Sequence, residues 1–147
     1  MGIIATVAMC LLALGCSAAK PGVSLPDTLT LKTGGAPFEA QFDVKLAASG
    51  LLSVRRYGPP QVTPKTIEIH LSTEQTAMLL SLAARSTDFS VGCGQVADGT
   101  MAAMTVTYAG AKQAFSCSGA PKWPVGNNVT AFLSTLNKQL PKDLQVF

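Results

Sequence analysis

The sequence predicts an α+β fold: a twisted antiparallel sheet of about five to six strands with two helices packed on one face. Three observations carry this reading. Several runs alternate apolar and polar residues, and the links between them are short, which makes hairpins. Two segments show apolar residues at helical spacing on one side only. The order is strands, helix, two strands, helix, and helices with a single apolar face stack on one side of a sheet.

The elements follow in order. Thr28 to Lys32 reads as a short first strand, turned by Thr33-Gly34-Gly35. From Phe38 to Ala48, six apolar residues alternate with Glu39, Gln41, Asp43, Lys45 and Ala47, the mark of a strand with one buried face. Ser49-Gly50 turns the chain, and Leu51 to Tyr57 returns. A two-residue loop pairs Asp43 with Arg56 and Phe42 with Tyr57, and sets Val44 opposite Arg55; a bulge at Gly50 changes every pairing. Gly58-Pro59-Pro60 ends that strand, because proline cannot donate to a ladder. Lys65 to Leu71 alternates again, with Ile67, Ile69 and Leu71 inward.

Ser72 and Gln75 form a capping box that opens the first helix. Its expected buried stripe is Met78, Leu79, Leu82 and Ser86, with Arg85 in the last turn, where the helix dipole favours a cation. Thr87 to Gly99 is irregular. Thr100 to Tyr108 and Lys112 to Cys117 form a hairpin about Ala109-Gly110-Ala111, and Ser118 to Gly126 is a proline loop holding Trp123. The last helix is capped by Asn127 or Asn128, buries Val129, Phe132, Leu133, Leu136 and Leu140, and stops at Pro141.

Ile3 to Leu14 is an unbroken run of apolar and small residues closed by Gly15-Cys16. It is too short to span a membrane, which takes about 20 residues, and suits a signal-peptide core. A small residue directly before a cysteine at that point resembles the lipobox of bacterial lipoproteins. The resemblance implies cleavage after Gly15, lipid (palmitate among the acyl groups) on Cys16, and anchorage in the cell envelope. Ser17 in the next position implies the outer membrane, facing the periplasm. An ordinary signal peptide cut near Ala18-Ala19 is the competing reading. Residues 1–15 are thus the expected signal, 16–26 the lipidated cysteine and a flexible Pro-containing tether, and 27–147 a single α+β domain.

The chain is 48% hydrophobic and 13% charged, with eleven basic and eight acidic residues, which excludes a disordered chain. The net charge of +3 is spread out, without the dense basic stripe of a nucleic-acid binder. Cys93 and Cys117 remain once Cys10 leaves with the signal and Cys16 carries lipid. In an oxidising compartment the pair reads as a disulfide closing a loop of about 25 residues, for which chain entropy gives roughly 3–4 kcal/mol. A metal site built from these cysteines and His70 is the weaker reading, since neither belongs to a CxxC pair. Met101 and Met104 read as core filling rather than copper ligands. No metal and no cofactor are expected.

The domain also resembles an uncharacterised family found in bacterial lipoproteins and secreted proteins. The shared features are the hairpin from Ser49-Gly50 to Tyr57-Gly58, the capped helix leading into Asp88-Phe89, the strand pair from Asp98-Gly99, and a final helix after a proline loop. The resemblance implies the fold and no activity.

Catalysis finds little footing. His70, the single histidine, points outward beside Glu68, and no serine sits in a Gly-x-Ser-x-Gly setting. Asp88 and Asp98 flank the irregular loop as a carboxylate pair, yet each has a local explanation. The surface that points to a partner is Arg55, Arg56 and Tyr57, whose two arginines face opposite sides of a strand. Trp123 is either a partner anchor or a cover over the core edge. The expected function is a membrane-anchored, non-catalytic binding or assembly module with an envelope protein or glycan as partner. An inhibitor of an envelope-directed enzyme such as lysozyme and an unrecognised hydrolase are the alternatives.

Overall fold

The structure, a computed structural model, describes residues 24–34, 40–58 and 63–146. The expected leader, Cys16 and the expected tether up to residue 23 lie outside the described residues, as do Phe38 and the Pro59-Pro60 dipeptide. The elements are β1 (Thr28–Gly34), β2 (Gln41–Ala47), β3 (Leu51–Tyr57), β4 (Lys65–His70), α1 (Thr73–Arg85), β5 (Thr100–Tyr108), β6 (Ala111–Ala120) and α2 (Asn127–Asn137). Six strands form one sheet in the order β4-β3-β2-β1-β5-β6, and every neighbouring pair is antiparallel. The α+β architecture is the one expected.

Register lines the inward residues up in rows across the sheet. Ile67, Val54, Val44, Leu31, Met104 and Phe115 make one row, and Ile69, Leu52, Leu46, Leu29 and Val106 the next. Both helices cover these rows. From α1 come Leu79, Leu80 and Ala83, and from α2 Val129, Phe132, Leu133 and Leu136. A fully buried Leu or Phe side chain contributes on the order of 1.5–3 kcal/mol, so these rows supply the main force that holds the layers together.

The β2–β3 register differs from the two-residue reading. Asp43 faces Arg55, Val44 faces Val54, and Phe42 faces Arg56, while Gln41 takes the place opposite Tyr57. The loop is three residues, Ala48 to Gly50, with Gly50 at φ +90° and its N–H on the Ala47 carbonyl at 2.9 Å. A turn closed by a left-handed glycine adds one residue and slides the whole pairing. A side chain at Gly50 would also meet the Leu71 carbonyl at 2.7 Å.

The capping box of α1 is present, but its buried stripe is rotated from the expected one. Thr76, Leu79, Leu80, Ala83 and Ser86 face inward, whereas Met78 is 53% exposed and Leu82 only half-buried. The strand β6 runs past Cys117 to Ala120, because Gly119 (φ +74°) accommodates a bulge opposite Thr100-Met101. After Pro141 a short turn at Lys142–Leu144 returns the C-terminal segment to the core, burying Leu144 and Val146. Asn137 pins it, accepting from Val146 N–H at 2.7 Å and donating to its carbonyl at 2.9 Å.

The cap of α2 comes from elsewhere in the chain. Neither Asn127 nor Asn128 caps it; the N-cap is Gly126, which has no side chain to offer. Asp88, 40 residues earlier, accepts from Asn128 N–H at 2.7 Å and from Val129 N–H at 3.1 Å. A Cβ on Gly126 would overlap that carboxylate. The expected outcome is that Asp88→Ala lowers unfolding free energy by about 1–2 kcal/mol, the usual worth of a lost cap. Gly126→Ala should cost at least as much, and urea denaturation of both variants checks this. A Gly126→Ala protein as stable as the wild type would contradict it.

Candidate functional site

One face of the sheet lies under the helices; no helix or strand among the described residues covers the other. Across its middle run Thr66, Arg55, Asp43, Lys32, Ala103 and Ser116. The row beside it holds Tyr57, Gln41, Gly34, Met101 and Ser118. Gly34 contributes no side chain, and Ala103 contributes a small one. The result is a groove of ≈ 310 Å³, walled by Tyr57, Gln41 and Lys32 on one side and by Met101 and Ser118 on the other. That volume is at the lower end of small-ligand sites, which span roughly 300–1,000 Å³. Met101 is 55% exposed, a large apolar side chain held at the rim rather than in the core. A second hollow of ≈ 370 Å³ lies beside α2 against Gln145 and Val146 and holds none of the candidate functional residues read from the sequence.

Tyr57 has two charged neighbours on this face, Arg55 and Asp43. The guanidinium of Arg55 lies 5.6 Å from the ring centroid, within cation–π range. Burial, then the charge of the neighbouring Asp43 carboxylate and the hydrogen bonding of the phenol to it, raise the phenol's pKa above its ordinary 10.0; Arg55 opposes this. Asp43 sits between two cations, with Lys32 directly across on β1 and Arg55 directly across on β3. Its Oδ1 is buried and has no hydrogen-bond partner among the described residues, and the same holds for Thr33 Oγ1. Of these two residues only Thr33 lines the groove; Asp43 lies behind Tyr57 in the neighbouring row.

The structure separates the four residues read as a partner surface. Arg55 and Tyr57 share the open face. Arg56 lies on the helix side of the sheet, opposite Phe42 and Lys65. Nearby, the hydrogen bond and charge of Lys65 hold the Asp143 carboxyl below its ordinary pKa, with Arg56 adding a minor share. Trp123 is 7% exposed, packs edge-on against Phe89 at 4.9 Å between centroids, and donates from Nε1 to the Phe89 carbonyl at 2.8 Å. Its ring covers the core edge, and the anchor reading is corrected. The residues that sequence reasoning missed are Lys32, Gln41, Gly34 and Met101. They converge only through the β1–β2 and β1–β5 registers, which no local pattern reveals.

The cysteines meet as expected: Cys93 and Cys117 are disulfide-bonded with Cα atoms 5.3 Å apart. Asp88 is committed to α2, Asp98 is exposed, and His70 stands on the open face at the end of β4, so the fold does not bring these three together. No group of three or more His, Cys, Asp or Glu side chains among the described residues is placed to hold a metal ion. The chain matches no protein-family model and no curated protein.

The raised phenol pKa has a definite sign. The fold favours neutral Tyr57, so its contribution to stability is complete below the unfolded value and is lost as pH rises through the folded one. Titration of tyrosinate absorbance should show a phenol displaced to high pH in the wild type. Tyr57→Phe should delete that step, and Asp43→Asn should move it back toward the ordinary value; an unchanged step in Asp43→Asn would refute the Asp43 contribution.

Proposed function

We propose that this chain is a lipid-anchored protein of the cell envelope acting as a non-catalytic binding module, with the groove beside Tyr57 as its ligand face. One observation carries the reading. The uncovered sheet face has a hollow floored by Gly34 and Ala103, in which an aromatic ring clamped by Arg55 and Asp43 faces an exposed methionine. Rigid aromatic and apolar walls with a few fixed polar groups are the features of recognition sites. Lys32 and Arg55 at this end suit a ligand that pairs an apolar or ring portion with negative charge, as an envelope glycan or an acidic protein segment would.

The address rests on separate support. The Cys93–Cys117 disulfide suits an oxidising compartment. The lipobox-like Leu12-Ala13-Leu14-Gly15-Cys16 supplies a route there and an anchor. No helix among the described residues is long and apolar enough to cross a membrane. Anchoring by acyl chains on Cys16, with the tether of residues 17–26 as spacer, provides membrane attachment without a span.

The test has two arms. Metabolic labelling with an alkyne fatty acid should tag the wild type and Cys10→Ser but not Cys16→Ser, and the mature chain should begin at residue 16. Cross-linking in intact envelopes should then capture a partner that is lost when Gly34→Met fills the groove. A chain beginning at Met1 or near Ala19 overturns the anchor. A partner retained by Gly34→Met overturns the groove.

A further inference from the structure

β6 is one edge of the sheet, and its main chain is unevenly used. Its hairpin with β5 turns through Ala109 and Gly110, both with positive φ, so Tyr108 faces Ala111 across a two-residue loop. The pair flanking such a loop exchanges hydrogen bonds, and bonded pairs alternate from there. Ala111, Gln113 and Phe115 therefore bond inward to β5, and the N–H and C=O groups of Lys112, Ala114, Ser116 and Ser118 point away from the sheet. The chain fills one end of this edge itself: Gly94 N–H donates to the Ser118 carbonyl, and Gln95 and Val96 N–H donate to that of Gly119. This short segment shows that the edge accepts main-chain pairing. It stops there, and the six groups of Lys112, Ala114 and Ser116 have no partner among the described residues.

This stretch carries one guard, the charge of Lys112 beside the turn, and none over Ala114 to Ser116. Sheet edges are usually protected by charge, proline, bulges or brevity. The other edge, β4, turns Thr66, Glu68 and His70 outward, two of them bulky and polar. On β6 the outward residues are Lys112, Ala114 and Ser116, all exposed, with no proline, and the bulge lies beyond them at Thr100-Met101.

We propose that β6 is a homodimer interface, two copies pairing this strand antiparallel about a twofold axis at Ala114 to make one continuous sheet. The occupant is a second copy because the edge is complementary to itself. Centred on Ala114, the pairing satisfies all six open groups. It sets Lys112 of each copy opposite Ser116 of the other, so the lysines do not meet. On the helix side Gln113 of each copy faces Phe115 of the other, covering a ring that the monomer leaves half-buried. The inference concerns the sheet alone and stands whether or not the chain is lipidated.

Cysteine cross-linking of the full chain in the cells that express it tests it. At the axis, Ala114 faces its own copy with Cα atoms about 5.5 Å apart, within disulfide range. The two Ser116 positions lie four residues apart along the strands, roughly 13 Å, which is out of range. Mild oxidation should give Ala114→Cys roughly tenfold more covalent dimer than Ser116→Cys or the wild type, given that distance limit. Peptide mapping of the intact Cys93–Cys117 bond confirms that each variant has folded. No covalent dimer, equal yields for the two variants, or cross-linking at Ser116 alone would overturn the proposal.

Discussion

Residues 86–99 carry the chain from α1 back to β5, and the second half of the molecule is positioned by how that segment is held. The sheet order places β5 beside β1, while the chain arrives from β4, the far edge. Three attachments fix the crossing. Asp88 caps α2, Phe89 is fully buried between Trp123 and Phe115, and Cys93 is bonded to Cys117 on β6. A cap of about 1–2 kcal/mol and a cross-link of roughly 3–4 kcal/mol are together a large part of the 5–15 kcal/mol by which domains are stable. The apolar rows hold the layers together. These three attachments decide where α2 and β6 sit within them.

The same sheet therefore has two characters. Its helix side is a set of apolar rows closed by α1, α2 and the returning C-terminal segment. Its open side carries charge in alternation, Arg55–Asp43–Lys32, and a hollow where Gly34 and Ala103 replace larger side chains. The alternation makes the middle of the open side polar, and the hollow beside it brings in a ring and a methionine. A single β1 residue without a side chain thus links register to recognition: shifting β1 by one position would bring Thr33 to the open face and erase the groove.

Much of this was legible. The stripe of α2 has four apolar residues at unambiguous helical spacing, all buried; Leu140 is buried too, but α2 ends at Asn137, three residues short of it, rather than at Pro141. The capping box of α1 is a local pair. The alternation of β2 and β4 assigned their inward faces correctly. What the sequence did not disclose depended on distant partners or single dihedrals. The β2–β3 register turned on the conformation of Gly50. The sequence misplaces the α1 stripe because Met78 and Leu80 are both apolar, and packing against α2, β1 and β5 selects between them. The α2 cap was assigned to the nearby asparagines because Asp88 is 40 residues away. Trp123 was ambiguous because an aromatic residue in a proline loop suits a core edge as well as a partner.

The 86–99 segment ties α2 and β6 together, and the placement of the second half of the molecule depends on that tie. Amide hydrogen exchange, compared between the oxidised protein and the same protein with Cys93–Cys117 reduced, tests that coupling directly. The amides of Asn128 and Val129, bonded to Asp88, should lose protection along with those of Gly94 to Val96, while Val44 and Val54 in the centre of the sheet retain theirs. Unchanged protection at Asn128 and Val129 after reduction would contradict the account.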